Sequence, residues 1–406
     1  MHHVAITGVG IISCLGLEPE TVGAALAAGQ SGIVVDDERR RRGFRSPLTA
    51  AIRGFNARDW LGRKQRKTMT EYSIQAWAAT QQALEMAGLQ PDDWQNEQTG
   101  LIFGNDSSCL AAIEQVDSVR EHEATGSIGS GCIFRSMTSN ITMNLNALLG
   151  TRGISMCISS ACSSGGHGIG LGLDLIRHGR QQRVICGGAQ EINWESMCSF
   201  DALDAFSTRT DEPARACRPF DRDRDGLVPG GGAAVVVLER LDEARARGAT
   251  VLGRVAGYGF SADGAALAVP TRTGIAQAMR AALADAAAEP DAVDYVCAHA
   301  TSTPNGDAAE AANIEAVFGA GTTPPVSSLK SMTGHELWMA GAAQVVYTVI
   351  MRQQGFTAAN INFDAPDEAT AGLNIITETR AEPPSLALCN SAGFGGTNAA
   401  LVLAFD

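Results

Sequence analysis

The sequence predicts an α/β protein made of two similar halves. Short runs rich in Val and Ile alternate with longer Ala-rich stretches whose apolar residues have helical spacing, a pattern typical of parallel sheets covered by helices. A predicted helix at 70–88 is followed by a Pro-Asp turn and a buried strand at 99–106, and the same series recurs at 274–287 and 294–302. We therefore expect a duplicated fold.

The first half begins with a strand and ends near Leu241. The N-terminal run MHHVAITGVGIISCLG faintly resembles a lipoprotein cleavage site at Cys14, but it lacks a Lys/Arg-rich leader region, and its glycines favour a buried strand and turn. Gly8-Val9-Gly10 is not extended to GxGxxG, so no dinucleotide site is expected. The stretch AAVVVLERLDEARARG closes this half, and no low-complexity linker follows. We predict halves at 1–241 and 242–406.

Composition excludes several classes of protein. With 406 residues, 45% of them hydrophobic, the chain can bury a large core. Its net charge of −13 argues against broad contact with nucleic acid or anionic lipid, and no apolar run reaches the ~20 residues of a membrane span. The ten cysteines form no CxxC pair, which favours a reducing cytoplasm over disulfides, and we expect no metal site.

The stretch SSACSSGGHG at 159–168 places Cys162 where a strand-like run turns into a predicted helix. A cysteine at such an elbow points out of the backbone corner, and the helix N-terminus favours its thiolate. Small neighbours leave room for a substrate. The alternative, a packed core cysteine, carries equal weight on these residues alone.

Three further motifs follow. His299 comes directly after a buried strand, where α/β folds bind ligands, although a lone histidine there is more often structural. Lys330 and His335 lie at the entrance of another Ala-rich helix, where exposed charge is the ordinary alternative. The glycine-rich turn at 390–398 is either an anion-binding nest or a tight hairpin.

Together, in this order, the four motifs resemble the elongating β-ketoacyl-acyl-carrier-protein synthases of the thiolase superfamily. The resemblance covers essentially the whole chain and includes CRPFDRDRDGLVPGGGAAVVVLE at 217–239 and Phe206-Ser207-Thr208. The triple glycine at 230–232 and Trp194-Glu195 favour the type I branch. The family's fold implies five layers, αβαβα, with the nucleophile in the N-terminal half and the two histidines and the lysine in the C-terminal half.

The resemblance implies a role for five residues in the chemistry. Cys162 matches the nucleophile, and His299 and His335 match the paired histidines. Two neutral imidazole N–H groups can stabilise the enolate formed when malonyl thioester loses CO₂. Lys330 matches the lysine that keeps the histidines neutral, and Glu310 matches its buried acidic partner.

Five more residues are implied in binding. Phe394 matches the gating phenylalanine, whose backbone N–H joins that of the nucleophile as an oxyanion donor. Thr301 and Thr303 match threonines that touch the phosphopantetheine arm of the carrier. Lys64 and Lys67 fall at positions where the family docks its acidic carrier, although a solvated basic helix face is the plain alternative.

This chain departs from the family's pattern around the substrate. Ala300 follows His299 where the family usually has Gly, and Ala392 follows Ser391 where the family usually has Phe. After His335, Trp338 and Met339 replace the smaller Gly and Ala of the family. Ser107 stands where type II enzymes carry a bulky apolar residue. We expect Ser107 to widen the end of the acyl pocket and Trp338 to line it, with simple core filling by Trp338 as the alternative.

The implied reaction is condensation of an acyl group held on Cys162 with malonyl-acyl carrier protein to give a 3-oxoacyl product, in fatty-acid or related polyene or polyketide synthesis. The alternatives are an acyl-binding partner subunit with little activity of its own and a cysteine hydrolase. The resemblance implies no bound cofactor, because phosphopantetheine arrives on the carrier. It further implies a cytoplasmic homodimer, or a heterodimer with a subunit like a chain-length factor.

Overall fold

The computed structural model of the protein describes residues 1–267 and 269–405. Its strands are β1 Val4–Ile12, β2 Ile33–Val35, β3 Leu48–Ala50, β4 Thr99–Gly104, β5 Ser155–Ile158, β6 Arg183–Gln190, β7 Gly232–Arg240, β8 Gly253–Ala262, β9 Tyr295–Cys297, β10 Pro325–Ser327, β11 Asn374–Ile375, β12 Leu386–Gly393 and β13 Thr397–Ala404.

The α-helices are α1 Pro19–Ala27, α2 Asp37–Arg41, α3 Ala57–Trp60, α4 Arg63–Arg66, α5 Glu71–Met86, α6 Pro91–Trp94, α7 Cys109–His122, α8 Cys132–Arg135, α9 Asn140–Leu149, α10 Ser164–Arg177, α11 Trp194–Ala202, α12 Leu241–Ala246, α13 Gly274–Asp285, α14 Pro304–Phe318, α15 Lys330–Thr333 and α16 Ala340–Gln354. Short 3₁₀ turns lie at Thr125–Ser127, Ala161–Ser163, Pro213–Arg215, Pro290–Ala292, Leu337–Met339 and Phe394–Gly396.

The duplication is visible in the order of the strands. The first half runs β5-β4-β6-β7-β1 across its sheet, and the second half runs β10-β9-β12-β13-β8, so that corresponding strands occupy corresponding places. The short β11 extends the second half beyond β10. Two residue pairs between β1 and β8 join the two halves into one hydrogen-bonded sheet.

Strand direction differs from the expectation of parallel sheets. In the first half β5, β4 and β6 are parallel to one another, whereas β7 pairs antiparallel with both β6 and β1. In the second half β10, β9 and β12 are parallel, whereas β13 pairs antiparallel with both β12 and β8. The sequence pattern could not reveal this, because β7 is buried on both faces and therefore reads as the same unbroken apolar run as a parallel strand. The sheet is mixed.

The helices form three layers around the two halves of the sheet. Helices α10 and α16 lie between them and pack on strands of both, while α5 covers the outer face of the first half and α13 that of the second. The close approach of helix to strand is the same in both halves. A Cβ added at Gly10 of β1 would collide with α5, and one added at Gly259 of β8 would collide with α13. The five layers αβαβα are confirmed.

The predicted elements of the first half agree with the structure. The predicted helix at 70–88 is α5, whose first turn is capped by the Thr70 hydroxyl, and the N-terminal run forms the wholly buried strand β1. Within the residues that the structure describes, no helix has the length and apolar character needed to cross a membrane.

Candidate active site

Cys162 lies at a strained turn between β5 and α10. It is the central residue of the Ala161–Ser163 turn, and Ala161 has a φ of 47°, a value uncommon for a residue with a side chain. The Ser164 hydroxyl holds this turn, because its Oγ accepts from Ser160 N at 2.8 Å and donates to the Ala161 carbonyl at 2.6 Å. The elbow expected from the sequence is present, and Cys162 lines a cavity.

The thiol itself differs from the expectation of a ready thiolate. Burial raises the pKa of Cys162 to about 12, because desolvation outweighs the Lys330 charge and the backbone N–H groups of Cys162 and Phe394 that act in the opposite direction. The helix N-terminus therefore does not ionise the sulfur in the free protein. Its proton has to leave when the acyl group arrives.

The two histidines meet beside the sulfur. His299 follows β9 and His335 follows α15, and their rings stand edge to face with centroids 5.1 Å apart. Nε2 of His335 lies 3.2 Å from Sγ of Cys162. Burial and the nearby charge of Lys330 hold the pKa of both rings well below the ordinary value, so both imidazoles are neutral at physiological pH. Neutral rings can donate an N–H to an enolate oxygen.

Lys330 and Glu310 are both buried, but they do not form the expected pair. Glu310 Oε1 accepts the backbone N–H of His299 at 2.8 Å and the amide of Asn390 at 3.1 Å, which orients the strand end that carries the histidine. Lys330 Nζ and Glu310 Oε2 have no hydrogen-bond partner among the described residues. The carboxylate acts on Lys330 only through its charge, raising its pKa against the larger lowering effect of burial.

A second buried carboxyl near Lys330 was not expected. Glu336, directly after His335, accepts a hydrogen bond from the Tyr347 hydroxyl at 2.5 Å, and burial raises its pKa to about 7. Like Glu310, it raises the pKa of Lys330 through its charge. The only sequence signal was an acidic residue inside an otherwise apolar helix entrance.

A cavity of about 450 Å³ leads to Cys162, His299 and His335. Thr301 and Thr303 line it, with their hydroxyl oxygens 3.0 Å apart. The backbone N–H of Thr301 donates to the buried Asp307 at 2.9 Å. Asp307 lies in the first turn of the helix that carries Glu310, and the sequence pattern gave it no role.

Phe394 stands at the opening of this cavity with 41% of its surface exposed. Its ring stacks on that of Phe200 at 5.9 Å, a contact for which the sequence carried no signal. The preceding Gly393 allows the turn to approach the nucleophile, because a Cβ there would lie 2.9 Å from the Ala161 side chain and 3.0 Å from Cys162 N.

The structure brings Ser107 and Trp338 together, although neither lines the main cavity. Trp338 Nε1 donates to Ser107 Oγ at 3.2 Å, and the indole lies in the buried cluster that contains Cys162. Met339 is fully buried in the central core. Lys64 and Lys67 lie on and just after α4, and both are exposed.

A thiol beside two neutral histidines and a buried lysine, in a doubled αβαβα fold, defines a thiolase-fold condensing enzyme. The chain belongs to the β-ketoacyl synthase family. Residues 1–244 match the family described as "Beta-ketoacyl synthase, N-terminal domain", and residues 252–364 match "Beta-ketoacyl synthase, C-terminal domain".

Named relatives agree with this assignment. The chain is 39% identical over 405 residues to 3-oxoacyl-[acyl-carrier-protein] synthase 1 of Haemophilus influenzae, which covers 99% of this chain and 98% of that protein. It is 37% identical to the protein of the same name from Escherichia coli K12, with 99% of both chains covered.

Solved structures with the same fold include a β-ketoacyl synthase from Burkholderia phymatum, with a TM-score of 0.94, 35% identity and full coverage of both chains. The ishigamide ketosynthase/chain length factor has a TM-score of 0.93 at 29% identity, covering 100% of this chain and 99% of that one. A type II polyketide acyl-carrier protein in complex with its ketosynthase bound to the hexaketide has a TM-score of 0.91 at 26% identity, with both chains fully covered.

Proposed function

We propose that this chain condenses an acyl group held on Cys162 with malonyl-acyl carrier protein to give 3-oxoacyl-acyl carrier protein. The observation that carries the proposal is the meeting of a thiol with two neutral histidines, one of them 3.2 Å from the sulfur, beside a buried lysine. A hydrolase needs one histidine as base, whereas an enolate needs neutral N–H donors.

In the first half-reaction, the sulfur of Cys162 attacks the carbonyl of an acyl-carrier thioester. The S–C bond to Cys162 forms, and the carrier's thiol leaves with the proton. The oxyanion that develops faces the backbone N–H groups of Cys162 and Phe394, which already point at the sulfur.

In the second half-reaction, malonyl thioester loses CO₂, and the electron pair of the broken C–C bond passes into an enolate. The N–H groups of His299 and His335 hold its oxygen, because burial, together with the positive charge of Lys330, lowers the pKa of both rings and keeps them neutral. The enolate carbon then attacks the acyl carbonyl, and collapse of the tetrahedral intermediate releases the sulfur of Cys162 as a thiolate, which takes up the one proton that the decarboxylative condensation consumes. No step calls for a bound cofactor, because the phosphopantetheine belongs to the substrate.

The proposed partner is an acidic acyl carrier protein that docks on Lys64 and Lys67. Exposure of both lysines on one short segment supports this, since the overall charge of −13 leaves only local basic patches for an acidic partner. Phosphopantetheine would pass Phe394 and lie beside Thr301 and Thr303.

We further propose a homodimer in a reducing cytoplasm. Strand β5 forms one edge of the sheet, and its first two residues are exposed, so a second copy could extend the sheet there. All ten cysteines are free. A heterodimer with a chain-length-factor subunit is the alternative assembly, as in the ishigamide relative.

The test combines intact-mass and product analysis with acyl- and malonyl-carrier substrates. Wild-type protein should gain the acyl mass on Cys162 and then release a 3-oxoacyl product, and Cys162→Ala should do neither. Replacing the exposed Cys198 with Ser provides a matched control that keeps both steps. Acylation without condensation would instead favour an acyl-binding partner subunit, and release of free acid would favour a hydrolase.

A further inference from the structure

Two backbone N–H groups that face the sulfur come from distant parts of the chain. The N–H of Cys162 belongs to the turn between β5 and α10, which we call the nucleophile turn, and that of Phe394 belongs to the glycine-rich turn between β12 and β13. An oxyanion is stabilised only by donors that reach it at hydrogen-bond distance. Acyl transfer therefore depends on how the two turns are held against each other.

Serine hydroxyls on both sides of the nucleophile contact the segments that flank the glycine-rich turn. The Ser163 hydroxyl lies within hydrogen-bond distance of two carbonyl oxygens, that of Ser391 at 3.1 Å and that of Thr397 at 2.7 Å. Ser160 Oγ is hydrogen-bonded to Thr397 Oγ1 at 2.7 Å. Ser391 precedes Phe394 and Thr397 follows it, so the two turns are joined on both sides of each N–H donor.

The nucleophile turn needs this support from outside because its backbone is strained. Ala161 has a φ of 47°, and a strained residue keeps its conformation only where the surrounding structure fixes it. Ser164 bonds the turn internally, through Ser160 N and the Ala161 carbonyl. The contacts of Ser160 and Ser163 with the segments around the glycine-rich turn fix it from the other side.

Thr397 Oγ1 has a second partner, the imidazole of His167. This histidine lies in the first turn of α10, and its Nε2 is 3.1 Å from Thr397 Oγ1. Its Nδ1 is hydrogen-bonded to the Tyr258 hydroxyl of β8 at 2.6 Å. Burial lowers the pKa of His167, so the ring is neutral at physiological pH. A neutral imidazole has one donor and one acceptor, which suits a position between two hydroxyl groups.

The tyrosine at the end of this row is itself held in place. A Cβ at Gly170 of α10 would lie 2.4 Å from the Tyr258 ring, so the ring packs directly on the helix, and it stands edge to face with His167 at 6.0 Å. Neither His167 nor Thr397 lines the cavity that leads to Cys162. Their effect on the reaction therefore has to pass through the two turns.

We propose that His167 and Thr397 are positioning residues for acyl transfer to Cys162. Acting through Ser160, they hold the nucleophile turn against the glycine-rich turn, so that one backbone N–H from each turn meets the same oxyanion. This inference rests on the proposed function, because it concerns the oxyanion formed when Cys162 is acylated. Malonyl decarboxylation, which uses the two active-site histidines, does not depend on this contact.

The experiment measures two rates in each variant at saturating carrier substrate. One is the transfer of hexanoyl from acyl carrier protein to Cys162, followed by intact mass, and the other is the release of CO₂ from malonyl-acyl carrier protein. The readout is the ratio of the first rate to the second, because loss of folded protein lowers both equally. Thr397→Val removes the hydroxyl at nearly constant shape and should lower this ratio about tenfold. Thr397→Ser restores the hydroxyl and should return the ratio to within about twofold of wild type.

The role of the histidine is tested in the same assay. His167→Leu should lower the ratio about threefold, and it should lower it no further when combined with Thr397→Val, because the imidazole acts through that hydroxyl. Thr80→Val is the matched control. Thr80 is also buried, and its hydroxyl donates to the Ala76 carbonyl at 2.7 Å within α5, so this variant should keep the wild-type ratio.

Several outcomes would overturn the inference. A wild-type ratio in Thr397→Val, or a ratio in Thr397→Ser as low as that of Thr397→Val, would show that the hydroxyl does not position the turns. Additive losses in the double variant would show that His167 does not act through Thr397. If Thr397→Val does not fold, His167→Leu and Thr397→Ser decide by the same ratio. Absence of hexanoyl transfer in wild type would instead overturn the proposed function.

Discussion

Nε2 of His335 lies 3.2 Å from Sγ of Cys162, while the ring of His299 stands edge to face against that of His335. The His335 imidazole therefore contacts the nucleophile, and both rings line the same cavity as Cys162. The two half-reactions therefore use different groups of the site: the sulfur holds the acyl group, and both imidazole rings bind the enolate oxygen.

Replacing His335 with Ala should affect the two half-reactions unequally. Loss of one enolate donor is expected to lower malonyl decarboxylation by about 10²–10³. Acylation of Cys162, followed by intact mass, should persist because the carrier's thiol leaves with the proton. The exposed His178 offers a control, His178→Ala, with wild-type rates. Equal loss of both half-reactions would show that His335 serves the sulfur instead.

Replacing Lys330 with Met should move the acidic limb of the pH–rate profile. Burial lowers the pKa of His299 and His335, and the Lys330 charge lowers it further. Without that charge the histidine pKa values rise toward their ordinary value, so protonation stops enolate stabilisation at a higher pH than in wild type. Decarboxylation measured from pH 4 to pH 8 gives the limb directly, and an unmoved limb would contradict the assigned role.

Charge reversal at Lys64 and Lys67 should raise KM for carrier-bound malonyl substrate and leave KM for malonyl-pantetheine unchanged. The reason is that only the carrier protein meets the exposed basic segment, and added salt should weaken wild-type binding in the same direction. The control is a double charge reversal at the exposed Arg180 and Arg245, which makes the same change in net charge away from the Lys64–Lys67 segment. A carrier KM as low as that of wild type would place docking on another surface.

Replacing Glu336 with Gln should stabilise the protein more at pH 8 than at pH 5. Burial raises the folded-state pKa of Glu336 to about 7, so the carboxyl favours folding most below its ordinary pKa, and that contribution is lost as the pH rises through about 7. Glutamine does not titrate. The difference in Tm between variant and wild type should grow across this range, whereas Glu212→Gln, at an exposed site, should show no such trend.

Much of the fold was predictable from local patterns. The helix at Glu71–Met86 and the strand at Thr99–Gly104 follow from periodicity and turn residues, and their repetition in the second half predicted the duplication. Strand direction was not predictable, because a strand buried on both faces such as Gly232–Arg240 has the same apolar run in either orientation.

The sequence by itself determined which residue types were available for chemistry and in what order: Cys162, His299, Lys330 and His335 each stand in a local motif at a strand or helix end. Only the tertiary structure decided their ionisation and partners. Desolvation depends on every neighbour in space, so the protonated thiol and the neutral rings could not be derived from spacing.

The contacts of Ser107 and Trp338 were decided in the same way. The sequence indicated Ser107 and Trp338 as departures from the family pattern, but the hydrogen bond between them joins residues 231 positions apart. The turn that carries Trp338 packs closely against glycines of α10 and β6, a contact that local patterns do not reveal. Glu310 likewise accepts the backbone N–H of His299 and makes no hydrogen bond to Lys330, since a buried carboxylate is held by the N–H groups that the fold brings within reach.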